Sequence, residues 1–295
     1  MCIRDSLFII RNLLENSRVT YRELADMTEM SVSGIHKRIR SLEDDGIING
    51  YIARPSIIAL KYLWVAIFGT SHAKSMDIIS KELGQHENVS MVSITGGKFI
   101  YIKAYLRDIS ELQEYSSFAS KTAQISEPTV GIVDMPYVTT PEPLTSIDYK
   151  ILKNLNRDAR KPITDIADNV GVSAKTVRKR LGRMIENKLV SFTIQWSPMY
   201  ENSYFTLFYL FLNEGTDLNF TIQHLNEKFS PNIAYCLTFS NIPHLILLCT
   251  LTRTSKDTQR IQEEILTEGF KDVIPHIFFS VKWYDCWVDQ LLRTK

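Results

Sequence analysis

Basic side chains recur at helical spacing in two stretches of the sequence, residues 31–42 and 173–184. Each stretch opens with a serine, Ser31 or Ser173, that can cap the first turn of a helix. Apolar residues at i, i+4 and i+7 would then form one buried stripe, namely Ile35, Ile39, Leu42 and Val177, Leu181, Met184. Cations on the opposite face suit the phosphates and base edges of a DNA major groove. Both stretches are therefore predicted to be DNA-recognition helices.

A short helix is predicted before each basic stretch, at 21–27 and 163–169. Each contains an alanine, Ala25 or Ala167, that is small enough for close helix approach, and a tight connection follows each. Helix, short turn and helix make the helix-turn-helix plan. Because a basic face on an amphipathic helix is also common as plain solvated surface, this context is what favours DNA recognition.

The predicted DNA contacts form two sets. The second stretch is expected to make the dominant contacts, with Arg178 reading a base because arginine is the usual bidentate partner of guanine. The first stretch would supply a weaker or more selective set. The candidates are Ala174, Lys175, Thr176, Arg178, Lys179 and Arg183 in the second stretch and Ser33, Gly34, His36, Lys37 and Arg40 in the first. Arg38 and Arg180 lie beside the buried stripes and are predicted to form structural ion pairs.

Composition indicates a globular protein, since 295 residues with an apolar fraction of 44% leave room for two or more domains. A net charge of +1 requires any DNA-facing charge to be local. The four cysteines lack metal-ligand spacing, and the sequence shows neither a membrane-length apolar run nor a secretory signal. We therefore expect no metal, no disulfide framework, no membrane partner and a location in the reducing cytoplasm.

An internal repeat relates the two halves of the chain, because Ser31 and Ser173 lie 142 positions apart and the same offset relates Ala25 to Ala167. Segment 7–54 carries seven basic and seven acidic residues, whereas 147–200 carries eleven basic and five acidic. The second copy is therefore expected to hold the electrostatic footprint for DNA. The first copy begins almost on its first helix, which is compatible with a truncated or mis-started N-terminus.

Each copy continues in the order βαββαβ, the ferredoxin-like plan. The elements are predicted at 64–70, 74–85, 90–95, 99–106, 109–120 and 129–134, and again at 204–212, 220–229, 234–239, 245–251, 256–268 and 273–280. Strand 204–212 is apolar on both faces, so one face should be covered by helices and the other by a second sheet. The predicted fold class is α+β, with two copies of a winged helix-turn-helix followed by a ferredoxin-like domain.

A short β segment follows each helix-turn-helix, at 46–53 and 188–195, and Asn49-Gly50 predicts a hairpin wing in the first. A proline-rich stretch marks a linker between the copies. The predicted domains are winged helix-turn-helix units at 1–56 and 147–200, ferredoxin-like domains at 60–136 and 203–281, a linker at 137–146 and a C-terminal helix at 282–295. Trp283, Trp287 and Leu291 would form the apolar stripe of that helix, which should dock on the chain's own sheets.

These motifs resemble the Lrp/AsnC (feast/famine) family of prokaryotic transcription regulators, through residues 22–51 and 164–190 and the βαββαβ order behind each. The resemblance covers nearly the whole chain, twice. It implies double-stranded DNA as partner and ferredoxin-like (RAM) domains that pair through their sheets, here within one chain as a pseudo-dimer. It also implies a homo-oligomer.

The same resemblance implies control by a small, amino-acid-like effector, which family members often bind near the turn between the second and third RAM strands. The candidate residues in the first copy are Thr95, Gly96, Gly97 and Lys98. The acidic residue often found after the glycines is missing, and residues 240–244 of the second copy contain no glycine. A tight hairpin turn is the alternative explanation for the two glycines.

Two other functions stay open at this point. Siroheme decarboxylases resemble this architecture, so a tetrapyrrole enzyme is one alternative. An interaction protein whose helix-turn-helix units serve only as scaffold is the other. Because the sequence shows no paired catalytic carboxylates, no nucleophile elbow and no phosphate-binding loop, we predict a regulator that is not an enzyme and needs no cofactor. His244 and His276 are expected to be surface or packing residues.

Overall fold

The computed structural model describes residues 3–135, 143–197, 204–230 and 232–295. The first copy contains α1 Ile3–Glu15, α2 Tyr21–Asp26, α3 Val32–Asp44, β1 Ile48–Pro55, α4 Ile57–Leu60, β2 Leu63–Thr70, α5 Met76–Leu83, β3 Val89–Thr95, β4 Phe99–Leu106, α6 Leu112–Thr122 and β5 Thr129–Ile132. The second contains α7 Ser146–Leu155, α8 Ile163–Val170, α9 Ala174–Glu186, β6 Val190–Trp196, β7 Tyr204–Phe211, α10 Leu218–Phe229, β8 Ile233–Thr238, β9 Leu245–Thr252, α11 Ser255–Leu266, β10 Asp272–Trp283 and α12 Trp287–Thr294. Residues 137–142 of the predicted linker at 137–146 lie outside the described residues.

The helix-turn-helix units begin where the sequence supplies capping side chains. Ser31 and Ser173 accept hydrogen bonds from the third residue of α3 and of α9, as predicted. Thr20 forms a capping box with Glu23 at the start of α2, so orphan backbone donors are satisfied there too. The buried stripes of α3 and α9 contain the predicted apolar residues.

The ferredoxin-like domains merge into one eight-stranded sheet, in the order β5-β2-β4-β3-β10-β7-β9-β8. Within each half the order is fourth, first, third and second strand, as the ferredoxin-like plan requires. The halves join where β3 pairs antiparallel with β10. At the opposite edges Val133 bridges to Phe239, and the Ser240 amide donates to the Ile132 carbonyl over 2.9 Å. The sheet therefore closes on itself as a barrel within one chain.

The inner faces of the two half-sheets share one core, as the apolar strands predicted. Phe68 of the first half lies 5.1 Å from Tyr209 and 6.1 Å from Phe239 of the second, measured between ring centroids. On the outer faces, α5 and α6 cover the first half-sheet and α10 and α11 cover the second. Burial of apolar surface on both faces accounts for strands with little alternation of polar residues.

The hairpin predicted at Asn49-Gly50 is wrong. Strand β1 runs straight through this dipeptide, with a register shift between Ile48 and Gly50, and pairs antiparallel with β6 of the other copy. We call this two-stranded element the ribbon. Each helix-turn-helix packs on the strand that the other copy contributes, with Ile194 in the first core and Ala53 in the second. The turn signal was local, whereas the partner strand lies 142 residues away.

The C-terminal helix starts later than predicted, because β10 continues to Trp283 and α12 begins at Trp287. Trp283 therefore belongs to the strand, where its indole N–H donates to the Trp196 carbonyl over 2.8 Å. Asp289 of α12 is buried and accepts two hydrogen bonds of 2.7 Å from Arg54 at the end of β1. This ion pair fixes α12 to the ribbon, so the helix docks on its own chain as expected.

Candidate nucleic-acid interface

Helix α9 presents three exposed cations, Lys175, Arg178 and Lys179, on the side away from its buried stripe. Within the part of the chain that the structure describes, none of the three forms an ion pair or a side-chain hydrogen bond. A desolvated or paired cation would have to break contacts before binding DNA, whereas these can meet phosphates or base edges directly. The structure therefore brings together the central part of the predicted dominant set.

The start of α9 holds the two small members of that set. The Thr176 amide donates to the Ser173 hydroxyl over 3.1 Å, and the two hydroxyls lie 2.9 Å apart. Ala174 is half-buried beside them. The first turn is thus held by its cap, with backbone and hydroxyl groups at the surface where a helix N-terminus suits phosphate.

Arg183 is engaged by a buried carboxylate, whereas the DNA-contact prediction requires a side chain that faces solvent. Its guanidinium is 2.5 Å from the carboxylate of Asp148, which is fully buried near the start of α7. Arg180 approaches the same carboxylate at 3.7 Å and donates to Thr145, as its predicted structural role requires. A buried carboxylate needs such cations to offset its lost hydration. We therefore leave Arg183 out of the contact set.

Helix α3 presents the predicted weaker set of contact residues, and two of them, Arg40 and His36, already contact neighbouring side chains. Arg40 is exposed and lies 3.8 Å from Asp44, so part of its charge is neutralised. His36 contacts the Tyr21 ring edge to face, with centroids 5.3 Å apart. Lys37 is exposed and unpaired among the residues described. Arg38 pairs with Asp5 at 3.4 Å, as predicted for a structural arginine.

The N-terminal turn of α3 is crowded around its cap. The Ser33 and Ser31 hydroxyls lie 3.1 Å apart, and Ser31 accepts the Gly34 amide over 3.1 Å. A Cβ added at Gly34 would lie 3.2 Å from the Ser31 hydroxyl and 3.4 Å from Met30. Glycine thus keeps this turn compact beside the cap.

Two arginines hold the helix-turn-helix units against each other, and neither was singled out in the sequence as a contact residue. Arg18 donates to the Ala159 carbonyl, and Arg160 donates to the Ser17 carbonyl over 2.9 Å. Arg160 also lies over the Tyr51 ring, 4.4 Å from its centroid. The repeat offset of 142 relates Arg18 to Arg160 and Ser17 to Ala159, so the contact is reciprocal about a pseudo-two-fold axis. That offset was the signal that could have found it.

The predicted effector turn uses its polar groups within the domain. Gly97 and Lys98 have positive φ angles of 66° and 60°, and the Lys98 amine donates to the Ala73 carbonyl over 3.0 Å. The Thr95 hydroxyl donates to the Phe99 carbonyl over 3.3 Å. Gly96 lies in the same turn. Effector binding at these four residues stays a prediction.

The described residues contain no cluster of metal-ligating side chains and no helix long and apolar enough to cross a membrane. The thiols of Cys236, Cys249 and Cys286 are free. His276 stacks on Phe99, with ring centroids 4.0 Å apart, and His244 is exposed, so both are packing or surface residues as predicted.

Comparison with known proteins finds two family models, an AsnC-type helix-turn-helix domain at residues 144–185 and a winged helix-turn-helix DNA-binding domain at residues 8–49. An uncharacterised HTH-type transcriptional regulator of Pyrococcus furiosus is 30% identical over 37% of this chain and 75% of its own length. Another, from Pyrococcus horikoshii, is 32% identical over 39% of this chain and 79% of its own length.

A solved structure of the siroheme decarboxylase NirDL matches with a TM-score of 0.60 at 12% identity, covering 99% of this chain and 98% of that one. At this identity the match shows a shared fold over both copies and nothing about activity. The relatives in sequence are named as transcriptional regulators, in agreement with the prediction that the chain is not an enzyme. With an AsnC-type unit in its second half, a winged helix-turn-helix in its first and these relatives, the chain belongs to the Lrp/AsnC-type family of helix-turn-helix transcription regulators.

Proposed function

We propose that this chain binds DNA sequence-specifically with two non-identical recognition helices, α3 and α9, and regulates transcription from that site. The main support is the cluster of Lys175, Arg178 and Lys179 on a capped helix, which is exposed and has no partner among the residues that the structure describes. The reciprocal contact of Arg18 and Arg160 supports a fixed relation between the two helices.

Paired helix-turn-helix units read half-sites about one helical turn, roughly 34 Å, apart or a multiple of it. Because the contact faces of α3 and α9 differ, the two half-sites need not match. We therefore infer a non-palindromic operator, with Arg178 reading a guanine in the half-site under α9. The half-site under α3 would be read by His36 and Lys37.

The test is DNA binding by the purified protein to fragments from upstream of its own gene, across a salt series. The triple variant Lys175→Ala, Lys179→Ala and Arg178→Ala should lose affinity, and its slope of log affinity against log salt should flatten by about 0.9 for each phosphate contact removed. The matched control is Lys74→Ala, Lys121→Ala and Lys256→Ala, which removes three exposed lysines of the ferredoxin-like domains. Equal binding by the two triple variants would contradict the assignment to α9.

The same protein preparation also tests the alternative of a tetrapyrrole enzyme, which the fold shared with NirDL does not by itself support. Failure of the wild type to bind any fragment, together with a bound chromophore absorbing in the Soret region, would favour the enzyme. Partner binding that is independent of salt, without DNA affinity, would favour the scaffold alternative.

A further inference from the structure

A cavity of about 560 Å³ lies between the ribbon and the inner faces of both half-sheets, with more of its wall supplied by the first. This is within the range of small-molecule sites. Its walls are mostly aromatic and aliphatic. The aromatic residues among them are Tyr62, Trp64, Tyr101, Tyr105, Phe192, Trp196, Tyr235 and Trp283.

One cation enters these apolar walls from the sheet. Lys103 of β4 lies between Tyr101 and Tyr105 on the inward-facing side of the strand. Its ammonium group is 3.9 Å from the Trp64 ring centroid and 5.3 Å from that of Tyr105. Among the described residues it has no carboxylate and no hydrogen-bond acceptor. Two aromatic faces hold the ammonium in place without neutralising it.

Two buried donors beside Lys103 also lack partners. The Trp64 indole N–H and the Tyr101 hydroxyl are both inaccessible, and neither has a hydrogen-bond partner within the described part of the chain. Both side chains line the cavity. Because these two donors have no accessible surface, the half-buried Lys103 is the polar group on this part of the wall that a ligand can reach.

The second copy lacks this arrangement. In the pairing of β2 with β4, Lys103 lies opposite Ala66, and in the pairing of β7 with β9 the corresponding Leu207 lies opposite Cys249. Cys249 is fully buried, and burial raises the pKa of its thiol to about 12, so that position is neutral. Because the second copy folds with a neutral residue at this position, the barrel does not require the charge of Lys103 in the first copy.

We propose that this cavity binds an aromatic organic anion, with its rings against the aromatic walls and its carboxylate on Lys103. Arg54, Glu15 and Lys188 also line the cavity. The guanidinium of Arg54 is engaged by Asp289, and Glu15 and Lys188 are exposed to solvent, so Lys103 supplies the charge inside the cavity.

The occupant would contact both the half-sheet, through Lys103 and Trp64, and the ribbon, through Ile52 and Phe192. Because each helix-turn-helix packs on the ribbon, a ligand there can bias the relative position of α3 and α9. This second step rests on the proposed DNA-binding function, whereas the binding step does not.

The binding step is tested without DNA, by fluorescence titration of the full chain with anilinonaphthalene sulfonate, whose sulfonate stands in for a carboxylate. Phenylnaphthylamine, which has the same rings and no charge, is the neutral probe. Lys103→Met should weaken binding of the sulfonate about tenfold or more and leave the neutral probe within about twofold, because a charge-assisted bond is lost. Lys121→Met, which removes an exposed lysine of α6, is the control and should change neither titration.

Trp64→Phe keeps an aromatic ring beside Lys103, so it should weaken binding of the sulfonate by a smaller factor than Lys103→Met does. Unchanged sulfonate binding in Lys103→Met, or equal losses for both probes, would overturn the proposal. So would a stoichiometry other than one sulfonate per chain. For the coupling step, the sulfonate should shift DNA affinity in the wild type and not in Lys103→Met; sulfonate binding without any DNA binding would overturn the proposed function and leave the cavity assignment standing.

Discussion

The two helix-turn-helix units share one scaffold and differ in what their recognition helices offer. On α9 Lys175, Arg178 and Lys179 are exposed and, among the described residues, unpaired. On α3, by contrast, Arg40 has Asp44 beside it and His36 contacts Tyr21. The segment around α9 carries eleven basic and five acidic residues, and that around α3 seven of each. In the proposed function, α9 would therefore bind DNA with strong electrostatic attraction, whereas α3 would bind it with little net charge.

The difference extends to the junctions between the units and the barrel. At the end of β1 the junction is an ion pair, Arg54 with Asp289, whereas the residue 142 positions after Arg54 is Trp196, which stacks on Phe205 with centroids 4.5 Å apart. One junction is thus polar and directional and the other apolar. Disruption of the polar junction should therefore destabilise the protein most.

Asp289→Ala should cause the largest loss of stability, about 3–5 kcal/mol, because Arg54 would be left charged and buried. Denaturant unfolding measures it. Asp285→Ala, four residues earlier in the chain, is the control, since Asp285 pairs with Arg157 and Arg293 at the surface and should cost about 1 kcal/mol or less. Equal losses in the two variants would show that the buried pair does not anchor α12.

The same junction predicts acid sensitivity. Burial alone would raise the pKa of Asp289, but Arg54 and Asn156 outweigh it and hold that pKa below its usual value. A carboxyl with a lowered folded pKa stabilises the protein above its unfolded pKa, about 3.9, and loses that contribution as the pH falls through the folded pKa. The Asp289→Ala variant should therefore show a shallower loss of stability below about pH 4.

Exchanging one residue pair sharpens the contrast between α3 and α9. Arg178 corresponds to His36 at the repeat offset of 142. Arg178→His should cost about 1–3 kcal/mol of DNA binding and relax base preference in one half-site. His36→Arg should strengthen binding to the other. DNA titrations with operators mutated in one half-site at a time assign each effect to a half-site. If both variants changed binding to the same half-site, α3 and α9 would not read separate half-sites.

The reciprocal arginines offer a smaller test of how far the pseudo-symmetry holds. Arg18→Ala and Arg160→Ala should each lower the free energy of unfolding by about 1–2 kcal/mol through a lost charged hydrogen bond. Arg160→Ala should cost more, because Arg160 lies 4.4 Å from the Tyr51 ring centroid and 5.1 Å from that of Tyr21, whereas Arg18 lies 5.9 Å from that of Phe192. Denaturant midpoints compare the two, with the exposed Arg22→Ala as control. A larger loss at Arg18 would contradict this ordering.

A pH-dependent effect concerns His276, which pairs with Leu207 in the second copy. In the first copy Gly131 takes the corresponding position, opposite Ala66. Burial lowers the pKa of His276 to about 4, so the folded protein keeps it neutral while the unfolded chain takes up a proton below about pH 6.5. Stability should therefore decline as the pH falls from about 6.5 toward 4. His276→Phe should flatten this decline, and the exposed His244→Gln should leave it unchanged.

Much of this molecule follows from the sequence, because its signals are local or repeated. The recognition helices and the βαββαβ order follow from apolar periodicity, and the offset of 142 makes each copy evidence for the other. The ribbon was missed because Asn49-Gly50 predicts a turn from four residues, whereas the pairing of β1 with β6 depends on both copies being folded.

The misassigned and missed side chains have the same cause. Arg183 looks like Arg178 until Asp148 is known to lie under it, and Arg54 meets Asp289 across 235 positions. Lys103 carried a usable signal, since it alternates with Tyr101 and Tyr105 on one face of a predicted strand. A single lysine that interrupts the apolar face of a strand is visible in the sequence itself.

Closure of the barrel within one chain changes how the regulator would respond to its own abundance. If two separate chains with one unit each had to dimerise first, the concentration of paired recognition helices would fall with the square of total protein at low abundance. Here the seam between Val133 and Phe239 and the junction of β3 with β10 are intramolecular, so the heads stay paired at any dilution. Halving the gene dosage would halve the concentration of paired recognition helices. The concentration of protein able to bind the operator would therefore follow gene copy number in direct proportion.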